Sequence, residues 1–496
     1  MKRQERWTNF IFAAAVLVSM MVFFIMLHPI PIMDEDDVIY SVLVRKAIPI
    51  PGGWNPSRLM PEVLASLCGH AAAILTRLGF GHFIHCQVAV AGTLLSLFIT
   101  AYVCAFRRLL CRKLGLGPFL SCCLAVLFLE LHFLVYVVGP EGNLHMFHSY
   151  NECCMFFYTI PALFCGALMM VLMAEETENP LEGKGLLRQS VWVTAVYFAV
   201  FSNLYGSILL SVHAGLRLLG NFLKTRKLLG RKQFWRQNAF WAAVLLLWLL
   251  ALLLDGTGGR AANVSTLNNR KGSLLALLGD SAGLFFRTVW NTSLLFRLIA
   301  LAAAILFLFL ALRGRRTGAG VSAVRLILNT VCAGLLCTAF IILLSAVVSP
   351  DYTGRPEAIF ASMAILILLM LLCIAAFLQQ VPRLAALLPI ALLFVFSMTD
   401  TRYRTFADTN SVNIHGQAAV ALEDEIYQSI IRAAEEGRWD IGVRVPKYNE
   451  ESNWPHDGNI GAPIAELFLK YGIIDHEIYV WTDPTEELNL KYGITP

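Results

Sequence analysis

Four consecutive acids, Asp34-Glu35-Asp36-Asp37, follow an apolar stretch near the N-terminus and precede Tyr40. Carboxylates at the mouth of a membrane cavity can deprotonate an acceptor hydroxyl or coordinate a divalent cation such as Mg²⁺ or Mn²⁺. A solvated acidic loop would have the same composition. Because these acids lie beside a bilayer-length apolar segment rather than at a loop tip, a functional role is favoured. We therefore treat all four as catalytic candidates, and a divalent cation as the one cofactor that they could hold.

A second candidate is Arg355, which ends a short polar turn over residues 349–355 and precedes a long apolar segment. A guanidinium at that depth can form two parallel hydrogen bonds to a phosphate. An interfacial arginine that meets ordinary lipid headgroups would have the same position. The sequence leaves both interpretations open.

The segment 138–152 contains His145, His148 and Glu152, which would share one face if the segment were helical. That face could bind a metal ion or an acceptor, although two histidines at this spacing are by themselves a weak metal signal. Asn203 lies at a predicted turn between two short helices and is expected to face the same outer cavity.

Apolar elements must position these residues, because 57% of the 496 residues are hydrophobic, 15% are charged and the mean hydropathy is +0.64. A chain of this composition cannot cover its core with polar surface, so we expect it to lie in lipid. The sequence contains no glycine-rich phosphate loop, no Gly-x-Ser-x-Gly and no Cys-x-x-Cys, which argues against a nucleotide-driven pump.

The distribution of charge divides the chain near residue 400. Residues 400–496 hold 8 Lys+Arg against 17 Asp+Glu, whereas residues 1–399 hold 31 against 17. The twelve cysteines lie mostly in apolar runs and none lies in the acidic part, so we interpret them as small hydrophobic residues. We predict a transmembrane domain over residues 1–399 and a small soluble domain over residues 400–496.

Apolar segments of spanning length predict the transmembrane helices. Two short helices are predicted within 190–222, with a turn at Ser202-Asn203, because a single helix would place the basic block 224–236 outside, against the positive-inside rule. The expected fold class is an all-α polytopic membrane protein with about eleven helices. The other nine segments are 9–27, 83–106, 117–137, 153–173, 239–254, 293–312, 326–348, 359–378 and 384–398.

Basic residues before the first apolar segment predict a retained anchor with a cytoplasmic N-terminus. An odd number of spans then places the C-terminal domain outside the cytoplasm, in a multi-pass plasma membrane protein. The first outer loop, residues 28–82, is expected to hold an amphipathic interfacial helix over 58–78. In the tail we predict a helix over 418–436 and strands over 441–445 and 478–481, which give a small α/β or α+β segment.

The arrangement resembles the GT-C superfamily of membrane glycosyltransferases, in particular the bacterial polytopic families related to O-antigen glucosyltransferases and the uncharacterised domain family 6056. The resemblance covers most of the chain through short motifs. The motifs are Asp36-Asp37-Val-Ile-Tyr40, Trp54-Asn55-Pro56-Ser57-Arg58, Tyr158-Thr-Ile-Pro161 and the turn over 350–355. Related families often have an acid where this chain has Asn203.

The resemblance implies an inverting hexosyltransferase that takes a sugar from a polyprenyl-phosphate donor. It implies transfer at the outer face of the membrane to a cell-envelope glycan or lipid acceptor, in polysaccharide biosynthesis. Asp36 or Asp37 would be the general base or a metal ligand, with Asp34 and Glu35 as the alternative pair.

The same resemblance implies that Arg355 neutralises the departing lipid phosphate and that Arg58 is a second phosphate ligand. Tyr40 and Tyr158 would line the acceptor cavity. The implied partners are the donor, the acceptor and membrane lipid, with no nucleic acid.

Two other classes of protein remain open. A transporter or flippase for lipid-linked glycans would also use intramembrane acids and an outer arginine, but it would favour inverted repeats, and none is evident in the sequence. A non-catalytic envelope assembly protein would bind its partners through the tail. The clustering of acids beside the first helix favours catalysis over that last class.

Overall fold

The computed structural model describes residues 2–136, 143–175, 179–225, 231–264, 273–313, 318–403, 406–408, 410, 412–449 and 452–494. About 75% of the structure is helical. Nine helices among these residues are long and apolar enough to cross a bilayer, and three shorter apolar helices accompany them, namely Pro118–Leu134, Leu186–Val200 and Pro382–Ser397. The predicted helical, multi-pass character of the chain is therefore confirmed.

The N-terminal half is built from eight helices joined by short loops. Two π-helical turns lie among them, Val22–Leu27 at the end of the first helix and Met155–Thr159 between the sixth and the seventh. The helices are α1 (Lys2–Met21), α2 (Glu35–Val42), α3 (Leu59–Arg77), α4 (Phe83–Lys113), α5 (Pro118–Leu134), α6 (Glu152–Cys154), α7 (Ile160–Ala174) and α8 (Leu186–Val200).

The second half of the membrane part continues with eight further helices. Two 3₁₀ turns, Pro350–Gly354 and Pro382–Leu387, separate the last three. The helices are α9 (Leu204–Thr225), α10 (Arg231–Gly256), α11 (Gly259–Val264), α12 (Leu274–Trp290), α13 (Leu294–Arg313), α14 (Gly318–Val348), α15 (Pro356–Gln380) and α16 (Leu388–Tyr403).

The predicted break in the 190–222 segment is present, since α8 ends at Val200 and α9 begins at Leu204. Close packing fixes α9 against α7, because a Cβ on Gly206 would lie 2.9 Å from the backbone nitrogen of Ala162. Part of the basic block 224–236 that supported the predicted turn, residues 226–230, lies outside the described residues. The predicted domain boundary at 399–400 falls within α16, whose helical backbone continues to Tyr403.

The tail has the predicted elements. Helix α17 (Gly416–Glu435) precedes strand β1 (Asp440–Pro446), and α18 (Gly461–Lys470) leads to β2 (Tyr479–Thr485) and α19 (Glu486–Tyr492). The two strands pair in parallel, with Asp440 opposite Tyr479. Parallel pairing requires a crossover, and the segment that holds α18 supplies it.

The hydrophobic core of the tail includes residues of the N-terminal part. Ile32 and Val38 near α2, Ala72 on α3 and Phe83 at the start of α4 lie in the same buried cluster as α17, α18 and both strands. A separate, larger cluster occupies the helical bundle. Helix α3 packs against the tail through Ala72, and it is one of the nine helices long and apolar enough to span, so its interfacial position stays a prediction.

All twelve cysteines lie within the described residues and are free. Cys332 is the one exposed cysteine, and the others are buried or partly buried. Their interpretation as small hydrophobic residues is confirmed.

Candidate functional site

Helix α2 begins at the acidic run, and two of the four acids hold its first turn. Asp34 is the N-cap residue, and its Oδ1 accepts a hydrogen bond from the backbone N–H of Asp36 at 3.0 Å. The carboxylate of Asp37 accepts bonds from the backbone N–H groups of Met33 and Asp34, both at 3.2 Å. This reciprocal capping box explains why the acids nucleate a short helix that hydrophobic periodicity does not predict.

The same two acids also fasten α2 to the segment before α7. Asn151 donates from Nδ2 to Asp34 Oδ2 at 2.9 Å, and the backbone N–H of Cys153 donates to Asp37 Oδ1 at 2.6 Å. Asp34 and Asp37 are 2% and 3% exposed. Both carboxylates are therefore occupied by positioning the loop, and neither can turn towards a substrate without breaking the cap.

Asp36 differs from Asp34 and Asp37 because its side chain reaches solvent and accepts no hydrogen bond from any described residue. Partial burial raises the pKa of Asp36, and the positive charge of Arg260 lowers it in part. Glu35 is half-buried, and burial together with the charges of Asp457 and Asp36 raises the pKa of its carboxyl. Asp36 is thus the acid with an unoccupied carboxylate beside an arginine.

Burial also changes the ionisation of the two capping acids. Burial raises the pKa of Asp34 to about 6, with smaller increases from Asp36 and Glu35 and opposing hydrogen bonds from Asn151 and the Asp36 amide. Burial and the charges of Asp34 and Glu152 raise the pKa of Asp37 well above its ordinary value.

The loop before α3 places Arg58 at a cavity. Its guanidinium lies 5.2 Å from the ring centre of Phe157 and 5.6 Å from that of Tyr158, and its buried Nη1 has no hydrogen-bond partner among the described residues. Cation–π contacts hold the charge without neutralising it. The arginine therefore keeps a donor free for an anionic ligand.

A second arginine, Arg260 on α11, enters the same cavity. The backbone N–H groups of Gly259 and Arg260 donate to the carbonyl oxygens of Gly53 and Trp54 at 3.0 and 3.1 Å. The approach is close, since a Cβ on Gly258 would lie 2.6 Å from Pro56 Cδ. This contact brings α11 and the loop before α3 together, although they are about two hundred residues apart in the sequence.

Tyrosines line the wall of the cavity next to the arginines. Arg260 donates from Nη2 to the Tyr352 hydroxyl at 3.3 Å, and the Tyr352 ring stacks on Tyr205 with centroids 5.7 Å apart. Tyr158 lies 6.1 Å from Tyr205 and 6.3 Å from Tyr352. Burial raises the pKa of Tyr352, but Arg260, the Tyr158 hydrogen bond and Arg58 outweigh it and lower the pKa below the ordinary value. The charged residues that line the cavity are thus two arginines against one carboxylate, that of Asp255, which accepts a hydrogen bond from Ser57 Oγ.

The cavity has a volume of about 270 Å³, and part of its lining is apolar. The apolar residues include Leu252 on α10, together with Leu344, Val347 and Val348 at the end of α14. A cavity lined by two guanidinium groups and by aliphatic side chains fits a ligand that joins an anion to a hydrocarbon.

Arg355 lies next to this cavity on the turn that precedes α15. Its guanidinium is 5.1 Å from the ring centres of both Tyr150 and Tyr352. Burial lowers the pKa of Arg355, but Glu357 and Tyr352 raise it above the ordinary value. The ring of Tyr352 therefore lies between Arg355 and Arg260, and Asp36 is close enough to Arg260 for the two charges to interact.

The remaining sequence-predicted residues have structural partners. Asn203 donates from Nδ2 to the carbonyl oxygen of Phe157 at 2.6 Å and accepts from the backbone N–H of Tyr205, so it stabilises the break between α8 and α9 while lining the cavity. Tyr40 accepts a hydrogen bond from Asn55 at 2.9 Å. Glu152 accepts from Gln87 at 2.6 Å and is 2% exposed.

The interpretation of His145, His148 and Glu152 as one helical face is wrong. Residues 143–151 are not helical, and the helix begins only at Glu152. His148 donates from Nε2 to the backbone oxygen of Asp408 at 3.2 Å, and His145 packs 5.2 Å from the ring of Phe133. Burial lowers the pKa of His148 to about 4, so both histidines are interior residues that contact the start of the tail.

Sequence analysis missed Arg260 as a site residue. It ends the run Asp255-Gly256-Thr257-Gly258-Gly259-Arg260, which follows a long apolar helix. A glycine-rich turn at the end of a predicted span could have indicated a close approach of two backbones. The partner of that approach is a tertiary contact, which the sequence does not reveal.

Neither the known family models nor the curated proteins nor the solved structures contain a match to this chain.

Proposed function

We propose that this protein is a membrane glycosyltransferase that transfers a sugar from a polyprenyl-phosphate donor to a glycan or lipid acceptor at the outer face of the cell membrane. The observation that carries this proposal is the cavity lined by Arg58, Arg260 and aliphatic side chains, with Asp36 near Arg260. A lipid phosphate combines an anion with a hydrocarbon chain, and the lining offers partners for both.

Asp36 is the general base in this proposal. Its carboxylate reaches solvent and, unlike those of Asp34 and Asp37, accepts no hydrogen bond from a described residue, and unlike Glu35 it interacts with Arg260. Its raised pKa makes it a better proton acceptor than an ordinary aspartate. It accepts the proton of the acceptor hydroxyl as the acceptor oxygen forms its bond to the anomeric carbon. The alternative of a metal ligand at this acid fits the structure less well, because Asp34 and Asp37 already accept backbone hydrogen bonds.

The arginines stabilise the leaving group. As the new bond forms, the bond between the anomeric carbon and the phosphate oxygen breaks, and the phosphate leaves with the electron pair. Arg58 and Arg260 supply fixed positive charge where that negative charge develops, and Arg355 adds to it across the ring of Tyr352. Attack from the side opposite the phosphate gives inversion at the anomeric carbon.

The proposal is tested by comparing surface glycans and membrane lipid-linked sugars in cells with the gene, without it, and with single variants. Deletion and Asp36→Asn are expected to remove one glycan modification and to increase the lipid-linked sugar. Asp34→Asn is the matched variant, because asparagine caps a helix as well as aspartate does, so it should keep the modification. Unchanged glycans after deletion, or full modification by Asp36→Asn at normal protein level, would refute the proposal.

A flippase is distinguished by the same experiment. Loss of a flippase leaves the lipid-linked sugar on the cytoplasmic side, whereas loss of the transferase leaves it at the outer face. A membrane-impermeant sugar-oxidising reagent applied to intact cells separates these two outcomes.

A further inference from the structure

Two histidines and an aspartate meet between the membrane part and the tail, away from the arginine cavity. His82 is the N-cap residue of α4, His85 lies three residues later, and Asp424 lies on α17. Within the part of the chain that the structure describes, they form the one group of at least three His, Cys, Asp or Glu side chains whose ligand atoms all lie within 4.8 Å of one another.

The distances in this group fit a small metal ion. His82 Nδ1 lies 2.9 and 3.0 Å from the two carboxylate oxygens of Asp424, and His85 Nε2 lies 3.7 Å from Oδ2. Ligands of a tetrahedral zinc ion, with bonds of about 2.0–2.1 Å, are separated by about 3.4 Å. The observed values lie on both sides of that separation, so small side-chain rotations complete the geometry.

The backbone under these side chains is held firmly, while the side chains themselves are accessible. Phe83 and Ile84, between the two histidines, are 1% and 0% exposed, and Phe83 packs 5.9 Å from Phe468 of the tail. The side chains of His82 and His85 are each 55% exposed, and that of Asp424 is 22% exposed. An ion can therefore enter from solvent and find ligands whose backbones are already in place.

The ligand set selects among metals. Two imidazole nitrogens and one carboxylate suit Zn²⁺, whereas Mg²⁺ and Ca²⁺ prefer a shell of oxygens. Three protein ligands leave one position for water. The two histidines come from one turn of α4, and the aspartate lies 342 residues away in the sequence. A bound ion would join two parts of the chain that are far apart.

We propose that His82, His85 and Asp424 bind a zinc ion that fastens the tail to the start of α4. The ion cross-links an interface that apolar contacts already define, and it stabilises the docked tail. This inference is independent of the proposed transferase activity, because it uses none of the residues of the arginine cavity.

The test is zinc binding by the full-length chain, purified in detergent and without an affinity tag, measured by competition with a chromophoric zinc indicator. The wild-type chain is expected to bind one zinc ion per chain at this site. His85→Ala and Asp424→Asn should each weaken that binding by about tenfold or more. The matched control is His476→Ala, because His476 forms a similar surface pair with Asp475 at 2.6 Å and should leave binding unchanged.

A second measurement separates ligand loss from misfolding. Zinc should raise the thermal unfolding temperature of the wild-type chain and of His476→Ala, but not that of His85→Ala, and without metal all three should unfold at similar temperatures. Cobalt should give the intense visible absorption of a tetrahedral site in the wild-type chain. Equal zinc affinity in the wild type, His85→Ala and Asp424→Asn, or no zinc bound by the wild type, overturns the proposal.

Discussion

The four acids of α2 have different environments, although they are consecutive in the sequence. Asp34 and Asp37 accept backbone and side-chain hydrogen bonds from two parts of the chain, while Asp36 points towards solvent near Arg260. Successive residues of a helix point in different directions, so the helical turn itself separates a capping acid from an acid that is free to react. The proposed role of Asp36 rests on this separation.

The pH dependence of transfer should report the ionisation of Asp36. Because the base acts without its proton, activity is expected to fall as the pH falls through the pKa of Asp36. That pKa is raised above 3.8 by burial, so the loss should occur at a higher pH than for an ordinary aspartate. The rate is measured at saturating donor in membranes between about pH 4 and 8, the range in which a carboxyl with a raised pKa titrates. A rate independent of pH over that range contradicts the role of Asp36.

Arg260 should contribute more to donor binding than Arg287, which lies in the same segment between α10 and α13. Arg260→Gln removes the guanidinium group, which lines the cavity and donates a hydrogen bond to the Tyr352 hydroxyl. Loss of a charged hydrogen bond to the donor phosphate costs about 1.5–3 kcal/mol of binding free energy. The KM for the donor should therefore rise by about 10- to 100-fold. Arg287→Gln is the control, because Arg287 is exposed on α12 and does not line the cavity. Equal KM values for the two variants would exclude Arg260 from phosphate binding.

The packing of α9 on α7 gives a prediction about stability at the scale of elements. Gly206→Ala should destabilise the protein, because the new Cβ would lie 2.9 and 3.0 Å from the backbone of Ala162, and overpacking of this kind costs about 1–3 kcal/mol. Gly220→Ala on the same helix has nothing within 4 Å of its Cβ and should stabilise by up to about 1 kcal/mol through helix propensity. Thermal unfolding in detergent compares them, and a stability ranking in the opposite order contradicts the packing.

Elements with a strong local pattern could be predicted from the sequence, whereas elements that depend on tertiary contacts could not. The break between α8 and α9, the tail helix α17 and both strands agree with the predictions because periodicity and charge mark them. Helix α2 is held by a capping box and by a hydrogen bond from Cys153, so it has no long apolar sequence. Helix α12 is continuous, but Gly279, Asp280 and Gly283 interrupt its apolar sequence. The same limit explains why the sequence indicates Arg355 as a candidate but not Arg260.

The tail is joined to the rest of the molecule more closely than its charge difference suggests. The hydroxyl of Tyr471 donates to the backbone oxygen of Ser41, and a Cβ on Gly69 would overlap that hydroxyl. The buried cluster of the tail also includes residues near α2, α3 and α4. Residues 400–496 alone would expose much of the apolar surface that packs on these helices. The acidic composition therefore marks the change from lipid to aqueous surroundings, and not a domain with its own core.

The side of the membrane on which the tail lies determines whether the whole arrangement can work at the outer face. The distribution of basic residues predicts a cytoplasmic N-terminus and an outer tail, and Asp475, whose side chain is 91% exposed, is a suitable position for a probe. Asp475→Cys is therefore expected to react with a membrane-impermeant maleimide in intact cells, whereas Arg188→Cys, exposed in the first turn of α8 on the predicted cytoplasmic side, should react only after permeabilisation. The wild-type chain measures the background from its native cysteines. Glu35, the neighbour of Asp36, interacts with Asp457 of the tail, so Asp36 and the tail lie on the same side of the membrane. Labelling of Asp475→Cys only after permeabilisation would therefore place Asp36 on the cytoplasmic side. Transfer at the outer face would then be impossible.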